Sequence, residues 1–245
     1  MFLTLQKPLV EDFEPTLKVD KAFQDLLTQG VLCYNSGQYR KAKDLFNEGY
    51  TTASKDASKI DPMISSIFMG NSAAALYCDG SIHEALDMNL KVLKNRRKNI
   101  SIQPLSLAIS LYNAAVIATE QSEYSKSLDH LNNALEFAEK AGNNNLKMAI
   151  FNLFSYNYII KADLTKARTY AENSRGMILR KLCDNIFRVS ETHNNLGMLY
   201  FEQGKFEESI DEFTRAKDIL LTSVDSSHPD VLTIDTNLEI GRAHV

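Results

Sequence analysis

The chain has 245 residues, only 10 of them Gly and 5 Pro, about 6% together where average usage gives roughly 12%. So few turn formers disfavour a many-stranded sandwich or barrel and suit long helices joined by short turns. With 44% apolar residues, 24% charged residues and a net charge of −4, the composition excludes disorder and argues against a dedicated nucleic-acid or anionic-membrane surface.

Residues 1–21 carry little periodicity and read as an arm or a short helix. Their acids at Glu11, Asp12 and Glu14, and the lack of a basic start, do not suit a secretory leader. From residue 22 to 238 one pattern recurs. The first copy has Gly30, Gly37, Tyr39, Ala42, Phe46 and Gly49, and the second has Ala73, Leu76, Gly80, Ile82 and Ala85. The third has Ala115, Ala118, Tyr124, Leu131 and Ala134, with Ser122 where a turn glycine is expected. The fourth has Ser155, Tyr158, Leu164, Ala167 and Ala171, with Ala162 at the turn. The fifth is the clearest: Leu196, Gly197, Leu199 and Tyr200 on one face, Gly204 closing that helix, then Phe206, Ser209, Phe213 and Ala216 on the facing helix. A sixth first-helix begins at Pro229 and fades by Leu238. Residues 239–245 resemble read-through of an adapter sequence and are set aside as a non-native tail, so the natural protein is expected to continue past Leu238.

Five repeats plus a truncated sixth, each a helix–turn–helix with small residues where helices cross, resemble the tetratricopeptide repeat. Successive anchors at Gln29, Ser72, Ala114, Phe154, Leu196 and Leu238 lie about 42 residues apart, longer than the basic repeat, which predicts a second helix extended by about two turns. Pro62, Pro104 and Pro229 sit where the first turn of a helix tolerates a missing N–H. Together with His193-Asn194-Asn195-Leu196-Gly197 and His228-Pro229-Asp230-Val231, this period is similar to the kinesin-light-chain-like subclass. The resemblance implies an all-α, right-handed superhelix of antiparallel helix pairs that binds a protein or peptide.

No catalytic constellation is expected. The five histidines form no i, i+4 pair, the cysteines form no C-x-x-C, and no Gly-rich phosphate loop occurs, so neither metal nor cofactor is implied. The odd, dispersed Cys33, Cys78 and Cys183 suit a reducing compartment, and no apolar run approaches the length of a membrane span; a cytoplasmic location is expected. The run Lys91, Lys94, Arg96, Arg97 and Lys98 reads as solvated charge at a helix C-terminus, or else as a patch for nuclear import or an acidic partner.

Asn71, Asn113, Asn152, Asn194, Asn195 and Asn237 recur just before the anchors. Asn is a poor mid-helix residue, and each amide carries both a donor and an acceptor. If the resemblance places them exposed on a concave face, they form a ladder able to grip an extended peptide, with Tyr77, Tyr156 and Phe201 lining apolar pockets. Amide contacts between stacked helices are the alternative use. The resemblance also allows chaperone-tail binding to be weighed. The positions that hold a terminal carboxylate in such members are here Leu27, Val31, Asn71, Ile109 and Asn113, without a cation, so that partner is not expected. The expected function is a non-catalytic adaptor; the alternative is a regulatory module of a larger enzyme or motor assembly.

Overall fold

A computed structural model describes residues 2–13, 15–55, 60–99 and 104–244. Met1, Glu14 and Val245, assigned above to the arm and tail, lie outside the described residues. The chain divides into two compact units, Lys7–Ala141 and Gly142–Val245 with Met1–Gln6.

The first unit holds three helix pairs: α1 (Lys21–Asn35) with α2 (Tyr39–Lys55), α3 (Pro62–Cys78) with α4 (Ile82–Arg96), and α5 (Pro104–Glu120) with α6 (Tyr124–Lys140). The second holds α7 (Asn144–Ile160) with α8 (Leu164–Leu179), α9 (Ile186–Glu202) with α10 (Phe206–Leu221), and a single α11 (Pro229–Arg242). No strand occurs among the described residues. The fold class is the expected all-α stack of helix pairs. Both helices of the third pair have 17 residues. The long period is therefore shared between them, correcting the expected extension of the second helix alone.

Pro62, Pro104 and Pro229 each open a helix. The Asp61 carboxylate caps α3 by accepting from Met63 N at 2.8 Å, and His228 Nδ1 accepts from Asp230 N at 3.2 Å. Each pair turns on a residue with positive φ: Gly37, Gly80 and Gly204 where glycine was read, and also Ser122 (φ 60°) and Ala162 (φ 57°). The pattern sets the backbone there even without glycine, because two bonds close the last turn. Asp163 N donates to Tyr158 O at 2.9 Å and Ala162 N to Ile159 O at 2.9 Å.

First helices pack on several sides, so α3 and α5 are buried nearly all round, while a second helix such as α2 buries one stripe, Ala42, Phe46, Gly49 and Ala53. Phe46 fills the space that Gly30 leaves, and Phe213 does so against Gly197. Ser127 and Ser209 bind the carbonyls of Ala115 and Gly197 at 2.9 and 2.8 Å, fixing the crossing in two repeats. Helix α11 runs one turn past Leu238, with Gly241 3.4 Å (measured from an added Cβ) from Ile210 and the His244 ring 4.8 Å from Phe201.

Candidate peptide-binding site

In the first unit the asparagines expected on an open face are buried instead: Asn71 is 1% and Asn113 4% exposed. The chain itself covers them. Residues 7–13 carry no helix and run extended over α3 and α5. Asn71 Nδ2 donates to Glu11 O at 2.8 Å, and Glu11 N donates to Asn71 Oδ1 at 2.7 Å. Asn113 makes the same pair with Leu9, at 2.9 and 2.7 Å. Each primary amide thus meets both backbone polar groups of one residue, as a neighbouring strand would. Because α3 pairs with residue 11 and α5 with residue 9, this segment runs opposite to the helix order and advances two residues per repeat.

A charged anchor lies beside the ladder. Glu11 Oε2 stands 2.7 Å from Arg96 Nη1, both side chains 4% exposed or less. Arg96 also donates to Ser66 Oγ and Ser110 Oγ at 3.0 Å and to Ser106 O at 2.6 Å, and Ser106 Oγ donates to Glu11 Oε1. Arg96 therefore departs from the reading of its run as solvated charge. It falls in phase with Ala85, Asn89 and Val92, the buried stripe of α4, and that phase is the sequence signal that marks it. Tyr34 Oη donates to Pro8 O, and Lys7 Nζ lies 5.8 Å from the ring centres of Tyr34 and Tyr39. Tyr77 is half-buried and donates to Glu120 Oε2 at 3.3 Å; burial, reinforced by that carboxylate, drives its phenol far above the ordinary value.

In the second unit Asn237 holds Leu3 in the same two-way manner, both bonds 2.8 Å. Asn194 Oδ1 accepts from Asn237 Nδ2 at 2.9 Å, and its own Nδ2 makes a longer 3.5 Å contact with Leu3 O. Phe201 supplies an apolar wall, and its occupant is Phe2, whose ring stands edge-on at 4.6 Å and 5.3 Å from that of Phe213. Asn152 and Asn195 serve the helix stack: Asn152 Nδ2 donates to Arg188 O at 3.0 Å, Thr192 Oγ1 donates to Asn152 Oδ1 at 3.0 Å, and Asn195 Nδ2 donates to Asn152 O at 2.7 Å. Their burial, at 0 and 1% exposure, again corrects the expected exposure. Tyr156 is buried in α7.

Among the described residues no group of three or more His, Cys, Asp or Glu could hold a metal ion, and no helix is long and apolar enough to cross a membrane. The tetratricopeptide repeat family matches residues 190–220, the segment containing Gly197, Gly204 and Phe213. Residues 190–220 thus match a tetratricopeptide repeat, and the fold around them is similar to that of solved repeat arrays. Its fold is similar to that of BtubC (BKLC) from P. vanneervenii, at 20% identity and TM-score 0.62, with 81% of this chain and 80% of that one covered. It is also similar to the nearly identical TPR-like repeats of a kinesin light chain from Podosopora anserina, at 14% identity and TM-score 0.58, covering 84% and 99%. No curated protein matches significantly. In fold, the stack of helix pairs is thus similar to kinesin-light-chain-like repeats.

Proposed function

We propose that this tetratricopeptide array is a non-catalytic adaptor whose first helices grip an extended peptide of a partner protein through an asparagine ladder. The two-way amide bonds that Asn71 and Asn113 make to the backbone of residues 9 and 11 carry this reading. They are geometrically the contacts a ligand strand needs, and they engage only backbone atoms, so they do not depend on one sequence. Asn237 makes the same contact with Leu3 in its own unit.

The test is capture from a peptide display library by the full chain, repeated with Asn71→Ala, Asn113→Ala and Asn237→Ala combined. Each lost amide leaves ligand backbone groups unpaired, at about 1–3 kcal/mol. Binding should fall by orders of magnitude while circular dichroism keeps its helical signal. A folded triple variant that recovers the same peptides with the same affinity rejects the ladder.

A further inference from the structure

The basic run at the end of α4 faces two ways. Arg96 turns into the interior toward Glu11, whereas Lys91, Lys94, Arg97 and Lys98 are exposed. We propose that the outer face of α4 is a docking surface for an acidic helix of a partner protein, whose carboxylates meet Lys91, Lys94 and Arg97 beside the exposed Leu90. This surface is separate from the asparagine ladder, which uses first helices only.

Lys91, Lys94 and Arg97 fall at three-residue spacing, and α4 runs directly into a 3-10 turn at Arg97–Asn99, so the three share one side. From Lys91 to Lys98 the chain contains no acidic residue. Among the described residues none of the four exposed cations makes an ion pair or a side-chain hydrogen bond. Lysines of α6 differ: Lys126 stands 2.8 Å from Glu123 and Lys140 2.7 Å from Glu136. Complementing the helix dipole accounts for cations in the last turn, and Lys91 lies before it. The unmatched charge also reaches α6. His130, half-buried there, is held below the ordinary 6.5 by burial first and then by Lys126 and Arg97, against the opposing pull of Asp129 and Glu123.

Spacing selects the partner. Successive cations along α4 are separated by a rise of about 4.5 Å, the same step as carboxylates three residues apart on a second helix. An extended chain offers same-side carboxylates only about every 6.6 Å and falls out of step. Leu90, 47% exposed, lies one turn before Lys94 on this side. A partner helix with an apolar residue among its acids therefore buries that leucine as the charges pair.

The experiment uses the full chain and a fluorescent, alanine-based helical probe carrying one leucine and three glutamates at three- and four-residue spacing. A control probe of the same composition spreads its glutamates around the helix. At an ionic strength of about 0.15 M the patterned probe should bind at least about fivefold more tightly than the control. Lys91→Gln, Lys94→Gln and Arg97→Gln combined should weaken it by about tenfold or more, with helix content kept because glutamine is a comparable helix former. Saturating the unaltered chain with the patterned probe should raise the NMR titration midpoint of His130, since carboxylates brought to Arg97 offset the positive field. The combined Asn71→Ala, Asn113→Ala and Asn237→Ala chain should hold the probe unchanged.

Equal binding of the two probes, or equal binding by the folded glutamine variant, overturns the proposal. So does saturation that leaves the His130 midpoint in place. Loss of the probe in the asparagine variant puts the helix in the groove instead and overturns it too. Phosphatidylserine vesicles that displace the probe at lower charge concentration replace the acidic helix with a membrane. If the glutamine variant loses helix content, the His130 midpoint of the unaltered chain decides alone. The peptide-binding reading fails separately, when the asparagine variant captures its library peptides unchanged.

Discussion

The Phe213 ring lies where a side chain on Gly197 would have to stand, with ring carbons 2.7 Å from the position of an added β-carbon. Gly30 and Phe46 repeat the relationship in the first unit at 2.3 Å. In both repeats the absence of one carbon lets an aromatic ring serve as the packing core between paired helices.

Enlarging that position must move either the ring or the backbone. Gly197→Leu should cost about 1–3 kcal/mol as overpacking, lowering the melting midpoint by several degrees in a thermal scan. Glu207→Leu, on the exposed side of α10, should barely move it. Equal shifts would reject the assigned faces.

The turns at Ser122 and Ala162 hold a left-handed backbone with side chains that disfavour it. Ser122→Gly and Ala162→Gly should each stabilise by about 0.5–1 kcal/mol, partly offset by greater freedom of the unfolded chain. Gly204→Ala should destabilise by a similar amount, since φ is 73° and no atom lies within 4 Å of the added methyl. Urea midpoints of the three variants check the signs, and stabilisation by Gly204→Ala would contradict the turn geometry.

Glu212 gives the second unit an acid-sensitive contact. Burial works to raise its carboxyl, but the 2.6 Å bond from His193, with Arg215 at 3.3 Å, outweighs it and holds the group below the usual 4.5. A carboxyl depressed in the folded state contributes stability above its unfolded value and loses it as pH falls through the folded one. Unfolding midpoints measured from pH 6 to pH 3 should therefore fall more steeply for the unaltered chain than for Glu212→Gln. Parallel curves would remove Glu212 from the acid response.

The repeat was legible because helix crossings demand small residues and helix periodicity repeats them; Gly197, Ala115 and Ala42 are visible without coordinates. The recurrence of asparagine was visible too, but its division of labour was not. Asn113 and Asn152 occupy similar places in α5 and α7, and only the neighbours, Leu9 for one and Thr192 for the other, decide between gripping a strand and bracing the stack. Residues 2–13 escaped notice because an extended segment without a sheet has no periodicity of its own. Its conformation is imposed by tertiary contacts. Arg96 was hidden by composition, since its basic neighbours suggested solvent while its phase along α4 indicated the interior.

The two-residue step between Asn113 and Asn71 makes the first unit a ruler. An extended chain rises about 3.3 Å per residue, so one repeat measures off roughly 6.6 Å of peptide. That is less than the usual 8–10 Å between the axes of packed helices, so the ladder is finer than direct helix packing would set. Inserting one helix pair with its asparagine would lengthen the readable segment by two residues and leave the earlier marks in place. Deleting one would shift the Arg96 guanidinium that holds Glu11 against every mark beyond the cut.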